Sequence, residues 1–297
     1  MKPAIYSKRV WFIVAAAGLC AKLVFQQGLL TVLRSLSDTS NAQNGILLCL
    51  VLGGLWLTAR GLARFFARAE RGAEQEQRNR LAERLATAVE HGDPQGGQIQ
   101  PFALYLRPFA LERSLQGRVH RAGSEEMSFL ESGAVAFDRF LQEHLDYLDL
   151  PLISIGIDRL REGAGNVPTT DEEWLDLFRK LAGHATAIFV VPGMSNGILE
   201  EVHWLKENGL LAKTVFFKPA GYSRAAWQKL RVFHEGEKGM EFPEYSAKQV
   251  SFRLGSAGGC QDVQTWPVVS DKQAMKRSVG QMRALLAGVS ADKTLPR

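Results

Sequence analysis

Cysteine is scarce here and badly placed for chemistry. The 297-residue chain has three, Cys20, Cys49 and Cys260. Two lie inside apolar stretches and none has ligand spacing, which argues against a disulfide framework and against a zinc site. The six histidines, His91, His120, His144, His184, His203 and His234, are equally scattered, and no metal is expected. Also missing are a Walker loop, a G-x-G-x-x-G fingerprint and a Ser-His-Asp order, so P-loop, dinucleotide-fold dehydrogenase and serine-hydrolase chemistry have no support. Charge of one sign is not in large excess. With 36 basic and 31 acidic residues the formal net charge is +5, too mild to indicate a specific nucleic-acid partner, and none is expected.

What the chain does have begins with hydrophobicity concentrated at one end. VWFIVAAAGLCAKLVFQQGLLTVL, residues 10 to 33, is long enough to cross a bilayer, although Lys22, Gln26 and Gln27 interrupt it. GILLCLVLGGLWLTA, residues 45 to 59, is uncharged and shorter. Together they predict a transmembrane hairpin over residues 1 to 62 with membrane lipid as a partner. A cleaved signal peptide is the rival, but no small-x-small site follows and the second stretch would remain as an anchor. Lys2, Lys8 and Arg9 precede the hairpin and Arg60, Arg64, Arg68 and Arg71 follow it. The positive-inside rule therefore places both termini and the soluble part on the cytoplasmic side of the cell membrane.

Residues 63 to 100 predict a juxtamembrane helix and a linker. Leu81, Leu85 and Val89 form a short stripe on an otherwise mixed-charge helix that reads best as a solvated spacer, and GDPQGGQIQP then breaks it.

From residue 101 to 297 the pattern is α/β. FALYLRPF (102 to 109), LISIG (152 to 156), TAIFVVPG (186 to 193), KTVFFKP (213 to 219) and the weaker VQTWPVV (263 to 269) are continuous apolar runs. Such runs mark strands covered on both faces, and helical patterns lie between them. The expected fold is a doubly wound, mainly parallel sheet with a C-terminal extension. In that extension Met275, Val279, Met282 and Leu286 form a helical stripe. Ligands of such sheets bind beyond the carboxyl ends of the strands. Attention therefore falls on the loops after Phe109, Gly156, Gly193 and Pro219, including the long charged loop 157 to 173.

The loop after Gly193 runs into a helix with adjacent acids, Glu200 and Glu201. At about 100° per residue, Glu200 lies roughly 160° from Ile198, on the solvent side. Glu201 lies only about 60° from Ile198 and about 40° from Leu205, at the border of the buried face. A half-buried carboxylate costs free energy unless it has a partner or a use, which makes Glu201 the candidate catalytic group.

The order LYLRPF, LISIG, IFVVPGMSNGILEEV resembles that of Toll/interleukin-1 receptor (TIR) domains and their bacterial relatives over residues 102 to 235. The family pattern Ser-x-Trp-Cys-x-x-Glu-Leu is matched in spacing by Ser195 and Glu201, with Val202 in the leucine position. Gly197 and Ile198 stand in place of the Trp-Cys pair, Glu112 replaces an aspartate, and residues 113 to 128 look like an insertion. The resemblance implies a flavodoxin-like order of strands and hydrolysis of the nicotinamide N-glycosidic bond of NAD or a related nucleotide, which is a substrate and not a resident cofactor.

It further implies homo-oligomeric assembly and an antiphage defence role. Glu201 would stabilise the oxocarbenium-like transition state. Arg107, Ser195, Gly156 and Trp174 are the candidate substrate-binding residues, Arg107 toward phosphates and Trp174 toward the base, with a salt bridge and a core position as their bland alternatives. A non-catalytic TIR-like interaction or nucleotide-sensing module controlling the membrane hairpin is the other expectation. PGMSNGILEE is more loosely similar to the Pro-Gly-Gly-x-Gly-Thr-x-x-Glu loop of lysine-decarboxylase-like phosphoribohydrolases, with Met194 at the second glycine.

Overall fold

A computed structural model describes residues 42–92, 99–107, 116–118, 134–156, 163–170, 172–218, 222–266 and 272–291. The chain divides into two compact units, Met1–Ala73 and Glu74–Arg297. The apolar stretch 10 to 33 lies outside the described residues. The stretch 45 to 59 falls within helix α1, Ala42–His91. Among the described residues no helix is long and apolar enough to cross a membrane. In the first unit α1 exposes Trp56, Leu57, Leu62, Phe65 and Phe66, and the Arg60 guanidinium lies 5.0 Å from the Trp56 ring centroid.

The second unit is built on a mostly parallel mixed sheet with flanking helices. Its strands are β1 (Ala103–Leu106), β4 (Leu152–Ile155), β5 (Gly165–Val167), β6 (Ala187–Val190), β7 (Thr214–Lys218), β8 (Val250–Leu254) and β9 (Cys260–Thr265), in the spatial order β5-β4-β1-β6-β7-β8-β9. The first five in that order are parallel, whereas β8 and β9 are antiparallel to their neighbours. A separate antiparallel pair, β2 (Gln116–Arg118) with β3 (Ala134–Ala136), lies apart from this sheet.

Helices α2 (Phe137–Asp146), α3 (Trp174–His184), α4 (Asn196–Glu207), α5 (Arg224–Lys238) and α6 (Lys272–Ala291) flank it. Tyr105 and Phe217 both meet Phe137 of α2, which assigns α2 to the face carrying those side chains. Right-handed crossovers then put α4, on the β6-to-β7 connection, on the opposite face. Two contacts agree with this. Phe178 of α3 packs edge-on to Trp204 of α4. Trp227 of α5 packs against Phe252, which stacks on Phe216, the residue that alternates with Phe217.

The strand runs at 102 to 109, 152 to 156, 186 to 193 and 213 to 219 each hold a strand, shorter than predicted. The run at 263 to 269 overlaps β9, which is an antiparallel edge strand. Of the helical patterns between the strands, the one before β4 forms α2 over Phe137–Asp146, directly after Ala134–Ala136, which pair as a strand. β5 forms inside what the sequence presents as a loop, and β8 has no counterpart among the predicted strands.

The second half of α1 covers the β5 edge. Gln75 and Asn79 are buried. The Gln75 amide donates to Ala164 O at 2.9 Å and accepts from Gly163 N–H at 2.8 Å, while Asn79 Oδ1 accepts from Asn166 N–H at 2.9 Å. Side chains thus do for the edge strand what a neighbouring strand would do, which closes it to pairing with another chain. Ala82, Leu85 and Ala86 are buried in the core and Leu81 and Val89 are half-buried, so this part of the helix belongs to the domain and is not a solvated spacer. At the C-terminus, Ser278, Met282, Leu285 and Val289 are buried. The inward stripe of α6 is therefore offset from the apolar one read in the sequence, because Ser278 faces inward to bond His144.

Candidate active site at the carboxyl edge of the sheet

From β1 the chain goes to β4 on one side, and from β5 it crosses to β6 on the other side of β1. The carboxyl ends of β1 and β6 therefore flank the switch point, the place where open parallel sheets bind ligands. Tyr105 is in register with Ser154 and Leu106 with Val190. Arg107 consequently follows the sheet between Gly156 and Val191, and Val191 N–H still donates to Leu106 O at 2.9 Å.

The loop leaving β6 is held by three side chains from farther along the chain. The Tyr222 hydroxyl donates to Pro192 O at 2.7 Å, and burial raises its pKa. His234 Nε2 donates to Gly193 O at 2.9 Å. That bond fixes the tautomer, and burial lowers the imidazole pKa because a proton on Nδ1 would be desolvated. Phe242 stacks on the His234 ring with centroids 4.7 Å apart. None of these contacts was foreseen; hydrogen bonds to backbone carbonyls leave no spacing signal in a sequence.

Ser195 is the N-cap of α4, with extended backbone (φ −76°, ψ 146°) and no capping bond from its side chain. The residue is half-buried in the turn that launches the helix. Two turns on, the acids diverge as the projection predicts: Glu200 is exposed and Glu201 is 7% exposed. Among the described residues no hydrogen bond or ion pair reaches the Glu201 carboxyl. Burial, aided by the charge of Glu200, pushes its pKa up to about 8. Trp174, half-buried, closes over the first turn of α4. A Cβ built on Gly197 would meet the Trp174 ring at 3.8 Å, ordinary contact distance.

The other sequence candidates are placed less directly. Arg107 follows Tyr105 by two on β1 and lies over its ring, with Cζ 5.8 Å from the centroid. It therefore lies on the α2 face, across the sheet from α4. Gly156 uses both backbone groups structurally: its N–H donates to Val167 O at 3.1 Å and its carbonyl accepts from Asn166 Nδ2 at 2.7 Å. The structure thus brings Ser195 and Trp174 to the start of α4 and buries Glu201 in its second turn, while Gly156 and Arg107 follow the ends of β4 and β1, Arg107 on the opposite face of the sheet. Much of the loop 157 to 173 lies outside the described residues, as do residues 108 to 115 after β1.

One cationic group that sequence reading passed over is Lys218, the last residue of β7, with 1% exposure. Its Nζ is 5.1 Å from the Tyr245 ring centroid and 5.9 Å from that of Trp227, and burial pushes its pKa down to about 8. Among the described residues no cluster of His, Cys, Asp or Glu is arranged to hold a metal ion. No family model, curated protein or solved structure matches this chain.

Proposed function

We propose that this chain is a membrane-associated TIR-like hydrolase that cleaves the N-glycosidic bond of NAD or a related nucleotide, with Glu201 as its catalytic carboxyl. One observation carries the reading: a glutamate buried in the second turn of the switch-point helix, without a stabilising partner among the described residues and with its pKa raised to about 8. Such an arrangement costs stability and has no structural return, the pattern expected of a group kept for function. The bond order β4-β1-β6-β7 supports a flavodoxin-like core for this reading, although β8 runs antiparallel where that fold continues parallel.

In the free protein the Glu201 carboxyl keeps its proton up to about pH 8. A cationic nicotinamide ring beside it lowers that pKa and yields the carboxylate. As the ring departs with the bonding electrons, positive charge passes to the ribose, where the fixed carboxylate stabilises it at short range; a water then adds to the anomeric carbon and gives up a proton, so that the products are the free ribose hydroxyl and neutral nicotinamide. Trp174 covers Gly197, the position at which the TIR pattern carries a tryptophan, and offers an indole face to the leaving ring. The exposed Trp56, Phe65 and Phe66 with nearby Arg60 support a membrane-interface position for α1. A cytoplasmic placement follows from the basic residues flanking the hairpin, and a defence role from the TIR resemblance.

The decisive experiment follows free nicotinamide from NAD incubated with the full chain reconstituted at high density in vesicles. Wild type releases it and Glu201→Gln does not. Equal release by both proteins overturns the assignment of Glu201. Nucleotide binding without any release favours a nucleotide-sensing module instead.

A further inference from the structure

We propose that the stretch of α1 from Arg60 to Ala73 lies in the headgroup layer of a bilayer and binds anionic phospholipid through Arg60, Arg64 and Arg68. The inference rests on the membrane-associated part of the reading above and is independent of the hydrolase part. Within the first unit, Leu62, Phe65 and Phe66 are 57%, 65% and 46% exposed. At about 100° per residue, Ala59, Phe65, Phe66, Ala69 and Ala73 all fall within about 60° of Leu62, whereas Arg60, Arg64, Arg68 and Arg71 fall about 120° to 180° away from it. The helix therefore carries an apolar side and a basic side along the same turns. Glu70 is the only acid between Asp38 and Glu74.

An interfacial helix sinks its apolar side about 5–10 Å into the boundary between headgroups and acyl chains. Because a helix is about 10–12 Å across with its side chains, its opposite side then comes level with the lipid phosphates. Arginine suits that level, since its planar guanidinium pairs with phosphate through two parallel hydrogen bonds. The Trp56 and Arg60 pair marks the same boundary. Arg60 Cζ lies 5.0 Å from the Trp56 centroid, where the uncharged run 45 to 59 gives way to the basic segment. Tryptophan concentrates at membrane–water interfaces, and an arginine there reaches along apolar surface to the headgroups.

The same pattern decides between occupants. A second copy of the chain would use Ala59, Leu62, Phe66, Ala69 and Ala73 as a heptad seam, but alanine fills all but two of those positions. Phe65, more exposed than Phe66, lies beside that seam, and the exposed Trp56 and Leu57 lie about 120° and 140° from Leu62. A partner helix on the seam leaves all three in water. A nucleic acid would take the arginines and leave the apolar side uncovered. An acidic lipid surface accepts both, with apolar groups below and charge at the level of the phosphates.

The full chain reconstituted in phosphatidylcholine vesicles, with and without phosphatidylglycerol, tests this. Phe65→Cys, in a chain that also carries Cys20→Ser, Cys49→Ser and Cys260→Ser, holds an environment-sensitive fluorophore. With phosphatidylglycerol the label is shielded from aqueous acrylamide and quenched by a nitroxide placed just below the lipid headgroups. Without it, or at high salt, both effects weaken. Each arginine at an acidic surface changes partition by about fivefold, so Arg60→Gln, Arg64→Gln and Arg68→Gln together lower docking by about a hundredfold. Arg60→Lys, Arg64→Lys and Arg68→Lys together keep the dependence on phosphatidylglycerol, which separates loss of charge from damage to the helix. Equal shielding with and without phosphatidylglycerol overturns the assignment of anionic lipid. Shielding without nitroxide quenching, accompanied by cross-links between chains, puts a second copy on this side and overturns it too. A chain that floats with neither kind of vesicle sinks the membrane reading as well, whereas flotation with an unshielded label sinks this proposal alone.

Discussion

His144 Nε2 lies 2.7 Å from Ser278 Oγ, and both side chains are fully buried. Because Nδ1 of the same ring donates to Phe140 O at 2.7 Å, Nε2 carries no proton and accepts the serine hydroxyl. A serine beside a histidine suggests nucleophilic chemistry, but the pair is sealed between α2 and α6 with Phe140 and Trp266 around the ring. Its role is to fasten the C-terminal helix to the sheet.

The pair makes the fold sensitive to acid. Burial holds the His144 pKa below 6.5, so the unfolded chain binds the proton more readily. Its contribution is fully present above about pH 6.5 and is lost as the pH falls through the lowered native value. Denaturant unfolding at pH 7.5 and pH 5.5 should show a lower midpoint at the acid pH, with a smaller drop in a His144→Leu protein. Ser278→Ala should cost about 1 kcal/mol at neutral pH.

Glu201 gives the opposite slope. Its native pKa, about 8, lies above the unfolded value near 4.5, so its stabilising protonation is complete below pH 4.5 and lost as the pH rises through 8. Glu201→Gln is insensitive to this. The variant should gain on wild type between about pH 4.5 and 8, by up to about 1.4 kcal/mol for each pH unit, as read from urea midpoints. A variant that is less stable than wild type at pH 8 would mean the carboxylate has a partner.

Catalysis should follow the same group. If the carboxylate is the active form, kcat/KM for nicotinamide release should climb with pH through a midpoint near 8 and level off above it, since that ratio reports the free enzyme. A profile flat between pH 6 and 8 would remove Glu201 from the reaction.

Docking of α1 on the sheet depends on Gly165. A Cβ there would stand 2.5 Å from the Arg78 carbonyl oxygen and 2.9 Å from Ala82 Cβ, and backbone cannot yield as a flexible side chain can. Gly165→Val should lift residues 75–91 from the β5 edge, seen as new protease cleavage within that segment. Asn79→Ala leaves the Asn166 N–H without its bond and should cost about 1–3 kcal/mol. Unchanged proteolysis of Gly165→Val would show that the helix tolerates a side chain at this edge.

Lys213 tests a buried amine with a structural task. Its Nζ donates to Gly183 O and Ala185 O, each at 2.9 Å, at the end of α3. Burial puts its pKa at about 8 against 10.5 unfolded, so wild type should gain stability between pH 8 and 10.5, where only the unfolded chain stays protonated. Lys213→Met removes that gain and leaves two carbonyls short of a donor. Thermal unfolding at pH 7.5 and 9.5 gives both quantities.

The parallel strands and the different fates of Glu200 and Glu201 were legible because each depends on local apolar spacing. β5 was not, since a three-residue Gly-Asn-Val strand is held between β4 and Asn79, the latter 87 positions from Asn166 whose N–H it accepts. The inward face of α6 was read only in part: Met282 is buried and Leu286 packs on the core, but a buried serine breaks an apolar stripe unless its histidine partner, 134 positions away, is known. At the site, the sequence offered Ser195, Trp174 and Glu201. It gave no hint of His234, Tyr222 or Lys218, whose roles depend on which strand ends are neighbours.

The reversal of β8 relative to β7 has an evolutionary side. Because β8 enters the sheet antiparallel, the segment before it, which carries Phe242 and Tyr245, is delivered to the edge where β6 and β7 finish. Phe242 anchors the segment, buried against Phe216 and Phe252, whereas Glu241, Ala247 and Lys248 are exposed. Divergence is therefore expected at those exposed positions, which can alter the surface of this edge without disturbing the sheet.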